Sequence, residues 1–254
     1  MFNNYAKKFS LQSYGGINWD YVTGFEQVIN NGVATYYVIE WTTSRVVIFN
    51  QNWIYQSYQS VPYPYSWVLK YVNGYFYISS NDYFSKSNLN FTSVNSFYRY
   101  NAAYGQIFYN DYKLYVASYR AFLIDIFDTS CSLLQTVSLM GNKYRPSGAL
   151  DFFNGNVYYG LWNYNQIDVL QSNFSIIKNF TVCASKYSYI SDITFDKFGY
   201  LAVSCNLDNS VNLYDYNGNS MNTSIPTTYG PFTTAIDSKG RLVLITHNSV
   251  DIYY

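Results

Sequence analysis

A chain of 254 residues in which 15 Lys and Arg balance 15 Asp and Glu lacks the basic stripe that phosphate contacts require, so nucleic acid is not expected as a partner. No apolar stretch approaches the ~18 residues of a membrane span, so no membrane insertion is expected. The opening "MFNNYAKKFSLQSYGG" has no continuous apolar centre of a secretory leader, which points to a cytosolic protein or to one whose leader lies outside this chain. A chain this long can bury roughly three quarters of the surface it exposes when unfolded, and a single all-β domain of this size is common.

The 32 Tyr and 18 Phe stand beside 28 Asn and 28 Ser. Large rings fit half-buried pleated surfaces, and Asn and Ser supply turns, so sheet packing accounts for most of the aromatic content. In chain order, "MFNNYAKKFSLQ" reads as a lone strand. The hairpin "GFEQVINNGVATYYVIEW" follows, and then the pair "RVVIFNQNWIYQSYQS". The same unit returns as "SWVLKYVNGYFYISS" with "DYFSKSNLNFTSVNSFYR", whose first strand is the least regular. It returns again as "YGQIFYNDYKLYVASY" with "FLIDIFDTSCSLLQTVSL", and as "SGALDFFNGNVYYGLW" with "QIDVLQSNFSIIKNFTV". The last two units are "SDITFDKFGYLAVSCN" with "SVNLYDYNGNSMNTSI", and "FTTAIDSKGRLVLITH" with the closing "SVDIYY". Tight turns are expected at Asn31-Gly32, Asn73-Gly74, Asn110-Asp111, Asn154-Gly155, Phe198-Gly199 and Lys239-Gly240, where Gly and Asn tolerate positive φ.

A unit of four short strands recurring about every 40 residues is one blade of a propeller. The blades fall at 20–60, 63–99, 103–139, 146–182, 189–225 and 231–254, the last completed by 1–13. "SVDIYY" ends one strand short, and the N-terminal strand supplies the missing one. That pairing closes the ring and removes an unpaired edge. The expected fold is an all-β, six-bladed propeller with four antiparallel strands per blade.

"YISDITFDKFGYLAVSCNLDNSVNLYDYNGN" and "YGPFTTAIDSKGRLVLITHNSVDIYY" resemble NHL repeats. Each has an aromatic or Pro lead-in, a strand ending in Asp, a Gly turn, a second strand and a third of the form x-V-x-I/L-Y/F. The resemblance covers nearly the whole chain, is strongest in the last two units, and implies a six-bladed propeller. It says little about chemistry, since such folds host lyases, lactonases, receptor modules and adaptors. Amidating lyases of this type hold their metal with several His; here His247 is the sole histidine, which excludes that site within one chain. Lactonase-like chemistry would use oxygen ligands, for which Glu26, Asp151 and Asp192 on innermost strands are the candidates. Asp196 and Asp237 recur before the hairpin turn and read as turn caps. No nucleophile elbow, phosphate loop or Cys-x-x-Cys pair occurs, and His247, at the end of a strand, reads as a loop histidine. A non-enzymatic protein with no cofactor and no metal is expected.

In a blade, the turn after the second strand and the connection leaving the fourth open on one face. Cys205 and Cys183 occupy those two places, so a disulfide between them is weighed equally with two buried thiols, Cys131 staying free on the other side. Sequons at Asn90, Asn173, Asn179 and Asn222 fall in or just before outer strands, though Asn, Ser and Thr content alone predicts about as many. They favour an extracellular or cell-surface glycoprotein over a cytoplasmic one. The face carrying the Cys183 connection offers Trp41, Trp67, Tyr119, Arg120, Arg145, Trp162, Tyr164, Asp208 and His247, types suited to a binding face. A Tyr recurs in most lead-ins (Tyr63, Tyr104, Tyr144, Tyr187, Tyr229) and reads as packing between blades. Trp41, Arg120, Arg145, Trp162 and Asp208 break the repeat and are the sharper candidates. A protein or peptide partner is expected first, a glycan second, and a metal-dependent lactonase or hydrolase third.

Overall fold

The structure, a computed structural model, describes residues 5–10, 22–118, 120–139, 146–161, 164–186, 188–246 and 249–253. After β1 (Tyr5–Ser10), the first blade comprises β2 (Val22–Asn30), β3 (Val33–Glu40), β4 (Arg45–Asn50) and β5 (Tyr55–Ser60). The second is β6 (Ser66–Val72), β7 (Tyr75–Ser80), β8 (Tyr83–Ser87) and β9 (Ser93–Tyr98). The third is β10 (Tyr104–Asn110), β11 (Lys113–Ser118), β12 (Leu123–Phe127) and β13 (Leu133–Ser138). The fourth is β14 (Pro146–Phe153), β15 (Asn156–Leu161), β16 (Gln166–Leu170) and β17 (Ile176–Thr181). The fifth is β18 (Ile190–Phe195), β19 (Tyr200–Cys205), β20 (Ser210–Asp215) and β21 (Ser220–Pro226). The sixth is β22 (Pro231–Ile236), β23 (Leu242–Thr246) and β24 (Ser249–Tyr253), with β1 as its outermost strand.

All strand pairs are antiparallel neighbours in sequence except one. β1 pairs with β24 from Tyr5↔Tyr253 to Ser10↔Ser249, closing the ring across the two ends of the chain. Among the described residues there is no helix, and so none long and apolar enough to cross a membrane.

The apolar alternation is split between two neighbours. Ala34, Tyr36 and Val38 on β3 face the sixth blade's Val243, Ile245, Val250 and Ile252. Ile39 of the same strand, with Tyr37 beside it, faces Leu69, Phe76 and Ile78 of the second blade. Similar clusters fill each remaining wedge between blades. The middle strands are thus covered on both sides and read as nearly continuous apolar runs, whereas the outer strands β5, β9, β13 and β17 are largely exposed.

The Asn-Gly turns take the paired positive φ of tight hairpins: 51° and 78° at Asn31-Gly32, 51° and 88° at Asn73-Gly74, 49° and 77° at Asn154-Gly155. The third blade departs from expectation by one residue. Its ladder runs on through Asn110↔Lys113, so the turn residues are Asp111 and Tyr112. Asp196 and Asp237 cap their turns, each Oδ1 accepting two backbone N–H groups at 2.8–3.0 Å.

Candidate functional site

The face bearing the turns after second strands and the connections between blades is where the sequence placed a binding surface. Trp41 follows β3, and Tyr65 and Trp67 lie where the chain enters β6. Their rings meet, with Trp41 5.2 Å from Tyr65 and 5.4 Å from Trp67 between centroids. The Trp67 indole N–H donates to Asn81 Oδ1 at 3.4 Å, and Tyr65 remains 45% exposed. Tyr63 stacks on Tyr83 at 4.2 Å, and Tyr83 meets Tyr98 at 5.1 Å. The exposed Tyr98 and Tyr100 continue this aromatic sector over the first two blades. Such rings present large area at low entropic cost.

Arg120 is exposed and donates from Nη1 to Asn101 Oδ1 at 3.1 Å, and Tyr164 is exposed on the fourth blade. Tyr119, Arg145, Trp162 and His247, with Tyr144 and Tyr187, lie outside the described residues. Asp208 has an internal task. Its carboxylate accepts from the Ala184 N–H at 2.7 Å and the Ser185 N–H at 3.2 Å. It thereby clamps the connection that Cys183 starts. Cys183 and Cys205 form a disulfide, with Cα atoms 5.6 Å apart, and Cys131 is free and buried. Burial pushes the Cys131 thiol up to about 12. The asparagines of all four sequons, Asn90, Asn173, Asn179 and Asn222, are exposed.

The second concave feature is a cavity of ≈ 240 Å³ lined by residues of all six innermost strands, so it occupies the ring axis. Glu26, Asp151 and Asp192 all line it, as the sequence suggested, with Lys70 and Gln106. Lys70 Nζ donates to Glu26 Oε2 at 3.2 Å. Asp192 Oδ1 accepts from Gln106 Nε2 at 2.5 Å and from its neighbour's N–H, that of Ile193, at 2.8 Å. Its Oδ2 accepts from Thr233 Oγ1 at 2.5 Å and the Thr234 N–H at 2.8 Å. Asp151 accepts one N–H on each oxygen, from Phe152 and Phe195, both at 2.7 Å. Burial pushes Asp151 up to about 6 and Asp192 to about 7, against those hydrogen bonds. Burial also raises Glu26, and the Glu26 carboxylate raises Lys70.

These carboxylates do not converge as metal ligands. Among the described residues the group whose ligand atoms all approach within 4.8 Å is Cys183, Cys205 and Asp208, and its sulfurs are bonded to each other.

A third polar feature escaped the sequence reading. Asp125 at the centre of β12 is fully buried, pairs with Arg99 at 2.9 Å, and accepts from Tyr104 OH at 2.5 Å and Thr136 Oγ1 at 2.6 Å. Asp168 on β16 is its counterpart, buried and bonded by Gln166 at 2.6 Å. The signal was the Asp repeated in "LIDIF", "QIDVL" and "SVDIY", hidden inside a strand pattern.

No family model matches the chain, and no curated protein does. Solved structures match across most of its length. A streptogramin B lyase structure is 12% identical with a TM-score of 0.69, over 90% of this chain and 78% of that one. The virginiamycin B lyase from Staphylococcus aureus is 10% identical with a TM-score of 0.70, covering 98% and 88%. The WD40 β-propeller domain of Doa1 is 12% identical with a TM-score of 0.70, covering 92% and 78%. Identities this low carry the fold alone, and the fold they share with this chain, here six blades of four antiparallel strands, is the β-propeller.

Proposed function

We propose that this propeller is a non-enzymatic interaction module of NHL-like type whose loop face receives a protein or peptide in an extracellular assembly. The observation that carries this reading is the aromatic sector where Trp41, Tyr65 and Trp67 meet, flanked by Tyr98 and Tyr100. Closed sheets hold these rings nearly rigid, so little entropy is lost on binding. The disulfide and the four exposed sequons favour an oxidising setting.

The test is selection from a displayed peptide library on the intact chain, followed by affinity measurements on Tyr65→Ala and Arg120→Ala, both exposed positions. A hot-spot aromatic costs about 2 kcal/mol or more on truncation, so selected peptides should bind Tyr65→Ala at least ~30-fold more weakly with the unfolding temperature unchanged. Peptides indifferent to both substitutions would remove this face. A selective signal on a glycan array, lost in the same variants, would assign the aromatic sector to sugars.

A further inference from the structure

We propose that reduction of the Cys183–Cys205 bond opens a binding site for one zinc ion, held by both thiolates and the Asp208 carboxylate. This rests on the cysteine pair and not on the aromatic sector, so it is independent of the loop-face reading. Among the described residues these three are the group whose ligand atoms all lie within 4.8 Å of one another. Two thiolates and a carboxylate are a donor set that Zn²⁺ takes, and two sulfurs on one tetrahedral ion stand about 3.8 Å apart. Cα atoms 5.6 Å apart reach that separation by side-chain rotation. Cys205 and Asp208 frame the turn between β19 and β20 in the order Cys-Asn-Leu-Asp, a two-residue interval at which paired ligands share one zinc ion.

The second ground is that each ligand is placed by contacts other than the S–S bond. Cys205 is in register with Ile190 on one side and Ser210 on the other. The Cys183 N–H donates to the Tyr214 hydroxyl at 3.0 Å, and its buried neighbour Val182 donates to the Asn165 carbonyl at 2.5 Å. The Asp208 N–H donates to Ser188 Oγ at 3.3 Å. The three groups therefore keep their places when the bond opens, and a site held ready loses little affinity to ordering.

The third is coordinating capacity. Asp208 Oδ2 takes the Ala184 and Ser185 N–H groups at 2.7 and 3.2 Å, while Oδ1 takes the Ser185 N–H alone, at 3.3 Å, so the carboxylate keeps a lone pair for an ion. The Asn212 side-chain N–H donates to Cys205 Sγ at 3.3 Å, and such outer donors orient the ligands of a metal. Cys205 is buried, Cys183 and Asp208 are half-buried and Ala184 is exposed, so an ion enters from the loop face and water completes its coordination.

A dithiol supplies the reduction. Its thiolate attacks Sγ of the more accessible Cys183, and the electron pair of the S–S bond leaves on Cys205 Sγ. The second thiol of the reductant then displaces Cys183. Two electrons and two protons pass from the dithiol, which closes to a disulfide, and Zn²⁺ takes the place of the two protons. A chain in reducing surroundings would carry the ion where one in oxidising surroundings carries the bond.

The test is calorimetric titration of zinc chloride into the intact chain at about pH 7.5, after reduction by a phosphine that leaves no competing thiol. One Zn²⁺ should bind per reduced chain with a Kd of about 1 μM or tighter and raise its unfolding temperature, while the oxidised chain should take up none. Co²⁺ in its place should give the near-ultraviolet sulfur-to-cobalt band of thiolate ligation. Asp208→Asn, which keeps an oxygen for the two N–H groups, should weaken binding at least about tenfold, the loss that removal of an outer partner alone causes. Cys131→Ala should leave the affinity unchanged.

Equal uptake by oxidised and reduced chains, no cobalt–sulfur band, unchanged affinity in Asp208→Asn, or loss of uptake in Cys131→Ala would each overturn the proposal. A reduced chain that unfolds and does not refold with zinc would overturn it as well. Peptide selection on the loop face reads Tyr65 and Arg120, so failure there would leave this result standing.

Discussion

Asp151 and Asp192 are residues whose burial works against their charge. Both fold into the channel with carboxyl groups raised, to about 6 and about 7, so the folded chain holds protons that the unfolded chain has released above about pH 4. The native state then binds more protons than the unfolded one across that interval, and these two groups subtract stability as pH rises from about 4 to about 7. A tenfold change in the acidity of one carboxyl group is worth about 1.4 kcal/mol. Thermal unfolding followed by circular dichroism should therefore give a higher midpoint at about pH 5 than at about pH 8, and Asp151→Asn with Asp192→Asn should flatten the difference. An unchanged slope in the double variant would place the titrating groups elsewhere.

The Cys183–Cys205 bridge acts at the same scale but through the unfolded chain, because it closes a loop with a sequence separation of 22. Loop-closure entropy of that size is about 3 kcal/mol. Cys205→Ala should lower stability by up to that amount, measured by denaturant unfolding, while Cys131→Ala should cost about 1 kcal/mol. The difference arises because Cys131 contributes only packing.

At the scale of the element, one device closes the outer hairpin of five blades. Trp53, Phe91, Cys131 and Phe174 sit at φ of 57–64° and Gly218 at 91°, each donating its backbone N–H to the residue three positions earlier. Positive φ is strained for bulky residues, and burial of Trp53, Phe91 and Cys131 between blades opposes that cost. Gly218 breaks the series because Phe180 fills the space. A Cβ there would lie 2.3 Å from the Phe180 ring, whereas at Gly32 it would meet nothing within 4 Å. Gly218→Ala should accordingly destabilise clearly more than Gly32→Ala, whose cost is about 1 kcal/mol of backbone strain. Equal losses would mean that Phe180 swings aside.

The same contrast shows what was legible beforehand. Asn-Gly pairs announce their turns through backbone chemistry, so Asn31-Gly32, Asn73-Gly74 and Asn154-Gly155 could be read directly. Asp111-Tyr112 could not, since the position of that turn depends on one added ladder pair. Left-handed Trp and Phe carry no local signal at all, because tertiary burial holds them there. Blade topology placed Cys183 and Cys205 on one face but left a disulfide level with two buried thiols, since the approach of the two Cα atoms to 5.6 Å is set by the folded connection. The axial network was not legible, because the Gln106–Asp192 bond joins the third blade to the fifth, a relation that exists only after the ring has closed.

At the scale of the whole molecule, closure rests on one short pairing. Wedge cores lie between consecutive blades, and the one between the first and sixth joins Tyr36, Val38 and Trp53 to Val243, Val250 and Ile252. The sixth blade is completed by β1, which among the described residues pairs with β24. Removing residues 1–10 would expose the edge of β24 to water and to other chains, and would leave the sixth blade with three strands. A ring that has lost one seam no longer constrains the other wedges, so the cost should exceed that of five lost ladder pairs and approach the ~5–15 kcal/mol of a whole domain. The shortened chain should lose its cooperative unfolding transition and associate on standing, as read by calorimetry and light scattering. Adding a peptide of residues 1–10 should restore the transition in a concentration-dependent way. A shortened chain that unfolds cooperatively within a few degrees of the full one would show that the wedge cores hold the ring without the seam. In that case the pairing of the two ends would protect the edge of β24 without contributing to stability.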